Sequence, residues 1–388
     1  MQIGYDEDQQ SLRKQLREYY EQLLTPEVQR DLELTGSVGP VMRRIVQKMG
    51  ADGWLGIGWP QEWGGQGRPI MEQFIFFDES MRAGAPVPML TINTVGPTIM
   101  RFGTEGQKQR FLPRILKGEI HFCIGYTEPG AGTDLASLKT RAVRDGDEYV
   151  INGSKIFTSL SSDADYVWLA VRTNPEVSKH KGISIFIVPT DTPGFSYTPM
   201  DLMHGHDINY TFYEDVRVPA ENLVGGENNG WSLITNQLNH ERVTLCSPGP
   251  IERTLEDVVE WACSTHRPGG GRVIDDGWVQ HELATVRAKL EFLKLINWKV
   301  ASSPDLDVAD ASTIKAYGTE FYLEALRRMM EVVGQQSYLT SGTTGEVLKA
   351  KLEKLNRSYV LLTFGGGANE VQRELISMFG LGLPHSGR

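Results

Sequence analysis

One carboxylate in the segment Trp231–Leu245 has the surroundings of a general base. Trp231, Ile234, Leu238 and Leu245 recur at helical steps of three and four residues, and Glu241 falls on the same face. A carboxylate on an apolar face loses its hydration unless it is paired or protonated, and that loss raises its pKa. A base so tuned can remove a weakly acidic proton near neutral pH. The same residue also fits a structural ion pair with the neighbouring Arg242 or a distant lysine, and periodicity leaves both readings open.

Two further segments carry chemistry by residue type. Tyr126–Asp134 reads Tyr-Thr-Glu-Pro-Gly-Ala-Gly-Thr-Asp, and Ile151–Ser159 reads Ile-Asn-Gly-Ser-Lys-Ile-Phe-Thr-Ser. A glycine turn beside small hydroxyl residues lets backbone N–H groups close on an anion. No Gly-x-Gly-x-x-Gly joins a strand to a helix, which disfavours a Rossmann-type dinucleotide site. Cys123, Cys246 and Cys263 lack metal-ligand spacing among themselves or with the eight histidines, so no metal site is expected, and they read as reduced core thiols.

The elements that must position these residues fall into three segments. Residues 1–120 carry helical stripes (Leu12, Leu16, Tyr19, Leu23; Phe74, Phe77, Met81; Phe111, Ile115, Leu116) around a glycine-dense loop, Gly53–Gly67. Residues 121–229 change to short β-branched and aromatic runs: Tyr149–Ile151, Tyr166–Val171, Ile183–Val188 and Thr211–Tyr213. Asp-Gly, Asn-Gly and Pro-Gly turns lie between several of them, and together they predict an antiparallel β domain. Residues 230–388 return to helical spacing, through the Glu241 helix, Leu283–Val300, Ala309–Val333, Val347–Leu362 and a last helix from Glu370, as in a bundle. The fold class is α+β.

At 388 residues the chain can bury a large core. Its net charge of -10, spread along the chain, argues against nucleic-acid or anionic-membrane partners. The first residues have no basic start followed by an apolar run, and no stretch of ~18 apolar residues occurs. These features predict a cytoplasmic protein, neither exported nor membrane-spanning.

With these residues in place, the chain resembles the acyl-CoA dehydrogenase family over nearly its whole length. Tyr126–Asp134 is similar to the family's Thr-Glu-Pro-x-x-Gly-Ser-Asp flavin signature, and Ile151–Ser159 to its Asn-Gly-x-Lys-x-Trp-Ile-Thr. Supporting matches are Pro60 with Gly64, Gly65 and Gly67, the run Phe102–Pro113, and Asp215–Pro219. The resemblance implies an N-terminal helical domain, a flavin-binding middle β domain and a C-terminal bundle. It implies FAD as cofactor, with Tyr126 and Thr127 on the pyrimidine side, Gly132 and Thr133 at the phosphates, Phe157 against the ring and Ser159 near N5. It also implies α,β-dehydrogenation of an acyl-CoA thioester, with electrons passing to an electron-transfer flavoprotein.

Many members carry the base in a Tyr-Glu-Gly-Thr motif before the last helix. This chain has Phe364-Gly-Gly-Gly-Ala-Asn-Glu there, so Gly366 occupies the glutamate position, while Asn369 and Gln372 fit a capping box. A minority carries the base in a Glu-Arg pair on a bundle helix, which Glu241 and Arg242 match.

In the family's tetramer each flavin lies between two subunits, and the motifs lent to the neighbour are degraded here. They read Thr265–Arg272, Asp276 with Gly277, and Glu331–Ser337; Glu331 puts a negative charge where an anion belongs, and Gln335 and Ser337 stand where the family has glycines and lose the close backbone approach. The implied assembly is an α2β2 heteromer with a related chain, as in actinobacterial enzymes of steroid side-chain breakdown. The three glycines leave room for a wide acyl group. A non-catalytic partner subunit and an acyl-CoA oxidase on the same fold are the alternatives.

Overall fold

The computed structural model describes residues 4–35, 38–203, 205, 208–244, 246–303, 307–338 and 347–385; the side chains of residues 33–34, 239–244, 347 and 349–350 lie outside the described set. The first 120 residues form α1 (Glu7–Leu23), α2 (Pro26–Thr35), α3 (Pro40–Ala51), α4 (Ile70–Ala83), α5 (Gly96–Phe102) and α6 (Glu105–Leu116). Strands follow: β1 (Phe122–Gly125), β2 (Arg141–Asp145), β3 (Glu148–Ser159), β4 (Tyr166–Arg172), β5 (Ile183–Pro189), β6 (Phe195–Pro199), β7 (Ile208–Pro219) and β8 (Leu223–Val224). The chain then returns to helix in α7 (Gly230–Thr244), α8 (Gly249–Ser264), α9 (Gly277–Ala301), α10 (Val308–Val333), α11 (Val347–Tyr359) and α12 (Asn369–Leu375). No helix among the described residues is long and apolar enough to cross a membrane.

Contacts gather the chain into two compact units. One comprises Met1–Gln22, Ile70–Ala85 and Arg242–Arg388; the other comprises Leu23–Pro69 and Pro86–Glu241.

The first unit is helical. Its core joins Leu255 and Val258 of α8, Leu290 and Leu293 of α9, Phe321, Tyr322, Leu326 and Met329 of α10, and Leu352 of α11. The three- and four-residue steps within each helix put these side chains on one stripe, which must face a neighbour to leave water. Two adjacent buried carboxylates on α4 tie this unit together. Glu79 accepts from Arg13 Nε at 2.7 Å and Arg17 Nε at 2.8 Å. Asp78 accepts from Gly249 N at 2.7 Å and Ser247 Oγ at 2.5 Å, so it satisfies one of the free N–H groups at the start of α8. Burial pushes Asp78 up to about 6, opposed by those hydrogen bonds.

The second unit holds the sheet, in the order β6-β7-β3-β2-β4-β5-β8, with β1 paired to β4. Its inner face buries Ile151, Val167, Leu169, Phe186, Val188, Tyr213 and Val216. The sheet is mixed rather than antiparallel throughout: β1 runs parallel to β4, from Phe122 opposite Tyr166 to Gly125 opposite Leu169. The β2–β3 hairpin separates these two strands and supplies the long return that a parallel pair requires. Asn152-Gly153 also departs from expectation. It lies inside β3 at a register shift against β7, where Asn152 Nδ2 donates to Asp215 at 2.9 Å. Gly153 has φ +148°, and a Cβ there would meet Thr140 Oγ1 at 2.6 Å, so close packing rather than a turn selects glycine. At the start of α6, Thr104 and Gln107 form a reciprocal capping box.

Candidate active site

The two sequence motifs meet in the second unit. Ile156 N donates to Thr127 O at 2.9 Å, which joins the loop after β1 to the far end of β3. One residue earlier, Lys155 is fully buried, and its Nζ donates to Tyr126 O at 3.1 Å and to Glu128 Oε1 at 2.8 Å. Glu128 also accepts from Lys139 N at 2.7 Å and Thr140 N at 2.8 Å, so one carboxylate draws the loop closed. Burial would raise Glu128, but Lys155 and the hydroxyl and N–H of Thr140 hold it below the ordinary carboxylate range. Burial lowers Lys155 to about 8 against the opposing pull of Glu128.

Alternation along β3 explains how Phe157 comes to be presented. Tyr149, Ile151 and Lys155 point inward, so period two would send residue 157 inward as well. A register shift between Lys155 and Thr158 breaks the phase; Thr158 becomes fully buried and Phe157 turns outward. Phe157 is left 47 % exposed with φ +59°, a left-handed backbone that a bulky residue adopts at a cost. The fold thus holds an aromatic ring open beside the Thr127 loop.

The polar groups of the two motif segments suit a flat heterocycle with a phosphate tail. Thr127, Thr133 and Ser159 are at least partly exposed, and their hydroxyls spend no hydrogen bond among the described residues. Gly130 and Gly132 are exposed, and a Cβ at either would meet nothing within 4 Å, which leaves backbone open to an approaching anion. Tyr126 differs from the others. Its side chain is buried; Trp168 Nε1 donates to its hydroxyl at 3.1 Å, and that hydroxyl donates to Gln237 Oε1.

Gln237, a residue that periodicity did not single out, therefore ties α7 to the motif strand. The buried face of α7 carries Leu233, Ile234 and Gln237, while Trp231 and Leu238 are half-buried. Glu241 and Arg242 continue the backbone of this helix. Their side chains, and Leu245, lie outside the described residues.

In the first unit, Phe364–Ala368 forms the glycine loop before α12. Gly366 and Gly367 have φ +69° and +105°, values open to glycine and strained for other residues. The expected capping box at Asn369 is absent. Asn369 is the first helical residue, and its Oδ1 accepts from Lys315 Nζ at 2.7 Å while its Nδ2 donates to Thr319 Oγ1 at 3.0 Å. A buried lysine outcompetes a local cap for the same acceptor.

Comparison with known proteins gives these features a common setting. The acyl-CoA dehydrogenase N-terminal, middle and C-terminal domains match residues 6–119, 123–216 and 228–381. The chain is 55 % identical to the acyl-CoA dehydrogenase FadE26 of Mycobacterium tuberculosis, over 100 % of both chains. It belongs to the acyl-CoA dehydrogenase family. Among solved structures it is similar to the ChsE4-ChsE5 complex from Mycobacterium tuberculosis (56 % identity, TM-score 0.94, 100 % of both chains). It is also similar to the Tcur3481-Tcur3483 steroid ACAD (50 % identity, TM-score 0.94, 100 % of both chains). The chain is therefore an oxidoreductase of the acyl-CoA dehydrogenase class.

Within this acyl-CoA dehydrogenase the loop between α8 and α9 keeps its cations to itself. Arg267 pairs with Asp276 at 2.6 Å and Arg272 with Asp275 at 2.8 Å. After α10, Ser337 is fully buried and donates to Gly334 O at 2.7 Å, while Glu331 is exposed.

Proposed function

We propose that this chain is the FAD-binding, base-bearing subunit of a heteromeric acyl-CoA dehydrogenase that acts on a bulky acyl-CoA, with a steroid side-chain thioester as the preferred substrate. The observation that carries the reading is the open aromatic ring of Phe157, held in a strained backbone of the second motif segment one residue past the Ile156–Thr127 hydrogen bond that joins it to the first. Thr127 and Ser159 would meet the polar edge of the flavin ring, Phe157 its face, and Gly132 and Thr133 its phosphates. When bound, FAD supplies the hydride acceptor. Glu241 takes the α-proton of the thioester, with Arg242 as its neighbour in sequence.

The internal pairing of Arg267 and Arg272 supports a heteromer, because a loop whose cations are already neutralised has little to offer the flavin phosphates of a neighbour. A related acyl-CoA dehydrogenase chain would complete the assembly as α2β2. The similar solved proteins named as the ChsE4-ChsE5 complex and the Tcur3481-Tcur3483 steroid ACAD support both the partner and the substrate class. An electron-transfer flavoprotein would take the electrons, and the setting is cytoplasmic. The test is a dye-coupled assay of the co-purified complex with a steroid side-chain acyl-CoA. Dye reduction without hydrogen peroxide is expected; peroxide in proportion to substrate would identify an oxidase instead.

A further inference from the structure

Lys315 is fully buried on α10, and its Nζ grips the glycine loop at both ends. It donates to Thr363 O at 3.0 Å where the loop begins, to Gly367 O at 2.6 Å where it closes, and to Asn369 Oδ1 at the first residue of α12. Between those points the loop has almost no side chain to anchor it. Gly365 and Gly366 offer none, and Phe364 is 54 % exposed. A glycine segment has more conformational freedom to lose than any other, so its shape must come from backbone acceptors held at fixed positions.

The same stretch of α10 packs closely on its other side. Gly318 lies so near Cys246 that a Cβ would come within 2.4 Å of Cys246 Cβ, and Cys246 Sγ donates to Lys315 O at 3.7 Å. Asn297 Nδ2 of α9 holds Cys246 O at 3.2 Å. Cys246 follows the last residue of α7 by two positions. The Lys315–Gly318 turn therefore cannot shift toward the loop or away from it without breaking contacts on one side.

We infer that Lys315 is a positioning residue whose clamp on Thr363, Gly367 and Asn369 sets the width of acyl group that the glycine loop admits. This rests on the proposed function, with its bulky acyl-CoA, and on the sequence reading that the three glycines leave room for a wide acyl group. With the clamp in place the loop keeps one open shape; without it, the glycines sample many shapes and a wide acyl group must pay for their ordering on binding.

The test uses the full complex with its partner chain, prepared as wild type, Lys315→Met and Asn369→Ser. Three quantities are read: flavin content, amide hydrogen exchange across residues 361–373, and kcat and KM for a ring-bearing and a straight-chain acyl-CoA. Lys315→Met is expected to keep its flavin and to exchange faster at residues 364–368. Its kcat/KM ratio for ring-bearing over straight-chain substrate should fall about tenfold, through KM rather than kcat. Asn369→Ser should fall between it and wild type. A folded, flavin-loaded Lys315→Met with wild-type exchange and a wild-type ratio overturns the inference. If that variant does not accumulate, a wild-type ratio and exchange in Asn369→Ser do the same. Glu241→Gln is run alongside: turnover retained there defeats the proposed function, and the exchange data alone then decide whether the clamp exists.

Discussion

Glu241→Gln in the assembled complex lowers kcat about 10³-fold, within the range of roughly 10²–10⁴ that one positioned base contributes. Flavin content and acyl-CoA affinity stay within about twofold of wild type, because glutamine keeps the shape and loses only the ability to accept a proton. Glu241→Asp retains a carboxylate but withdraws it by one methylene, and a displacement of about 1 Å costs on the order of 10²-fold. The ordering wild type, then Asp, then Gln separates a base from a structural charge. If Glu241 only paired with Arg242 or a lysine, the three would differ in stability and not in turnover. Steady-state kinetics on matched, flavin-loaded preparations decides it, and unchanged turnover in Glu241→Gln would sink the assignment.

The second large effect is expected at Lys155, far from α7 in sequence. Lys155→Met leaves Glu128 buried with backbone donors but without its hydrogen-bonded counter-charge, a loss of about 3–5 kcal/mol for a broken buried pair. That is a large part of the stability of an ordinary domain, about 5–15 kcal/mol. The loop carrying Thr127, Gly132 and Thr133 should open, and flavin should be lost on purification. Adding Glu128→Gln removes the stranded charge, so the double variant should be more stable in urea than Lys155→Met alone. Equal stability of the two would show that the pair is not coupled.

The pH dependence has two signs. Glu128, held below its usual value, contributes stability that is present above the unfolded carboxylate pKa and lost as pH falls through the folded one. Lys155, lowered to about 8, gives up its proton in the folded protein before the unfolded chain does. Unfolding then takes up a proton between about 8 and the ordinary lysine value, so global stability from this group rises with pH across that window. The ionic tie to Glu128 weakens over the same range, and flavin release should quicken above about pH 8 in wild type but not in the double variant.

Much of the fold was legible because its elements repeat a local rule. The runs at Tyr149–Ile151, Tyr166–Val171, Ile183–Val188 and Thr211–Tyr213 all lie inside observed strands, since β-branched and aromatic residues mark a half-buried pleat. The helical stripes at Leu12 and Leu16, and at Phe111, Ile115 and Leu116, are buried as their spacing requires. The parts that were not legible depend on partners distant in sequence. Nothing near Phe122 announces a parallel neighbour at Tyr166, and β6 (Phe195–Pro199) is too exposed to show an apolar rhythm. The capping pattern at Asn369 was a sound local reading that a lysine 54 positions away overrode.

The site divides in the same way. Motif order brought Thr127, Gly132, Thr133, Phe157 and Ser159 to notice, but not the pair that closes the loop. Lys155 could have been found, because a lysine in phase with Ile151 and Tyr149 on a strand must be buried and must have a partner. The outward turn of Phe157 follows from a bulge that no alternation rule contains. Gln237 gave no signal beyond being a polar residue beside the apolar stripe of α7, and its role depends on the Tyr126 hydroxyl.

The most direct measurement of the central claim, that this chain keeps one half of a flavin site and needs a related chain for the other, is flavin absorbance per polypeptide. The chain is purified alone and then after co-expression with its candidate partner. The account predicts negligible flavin in the first sample and about one flavin per pair of chains in the second, in a particle with the mass of an α2β2 assembly. Full flavin occupancy in this chain alone would contradict it and would mean that the paired arginines at 267 and 272 had been misread as a lost half-site.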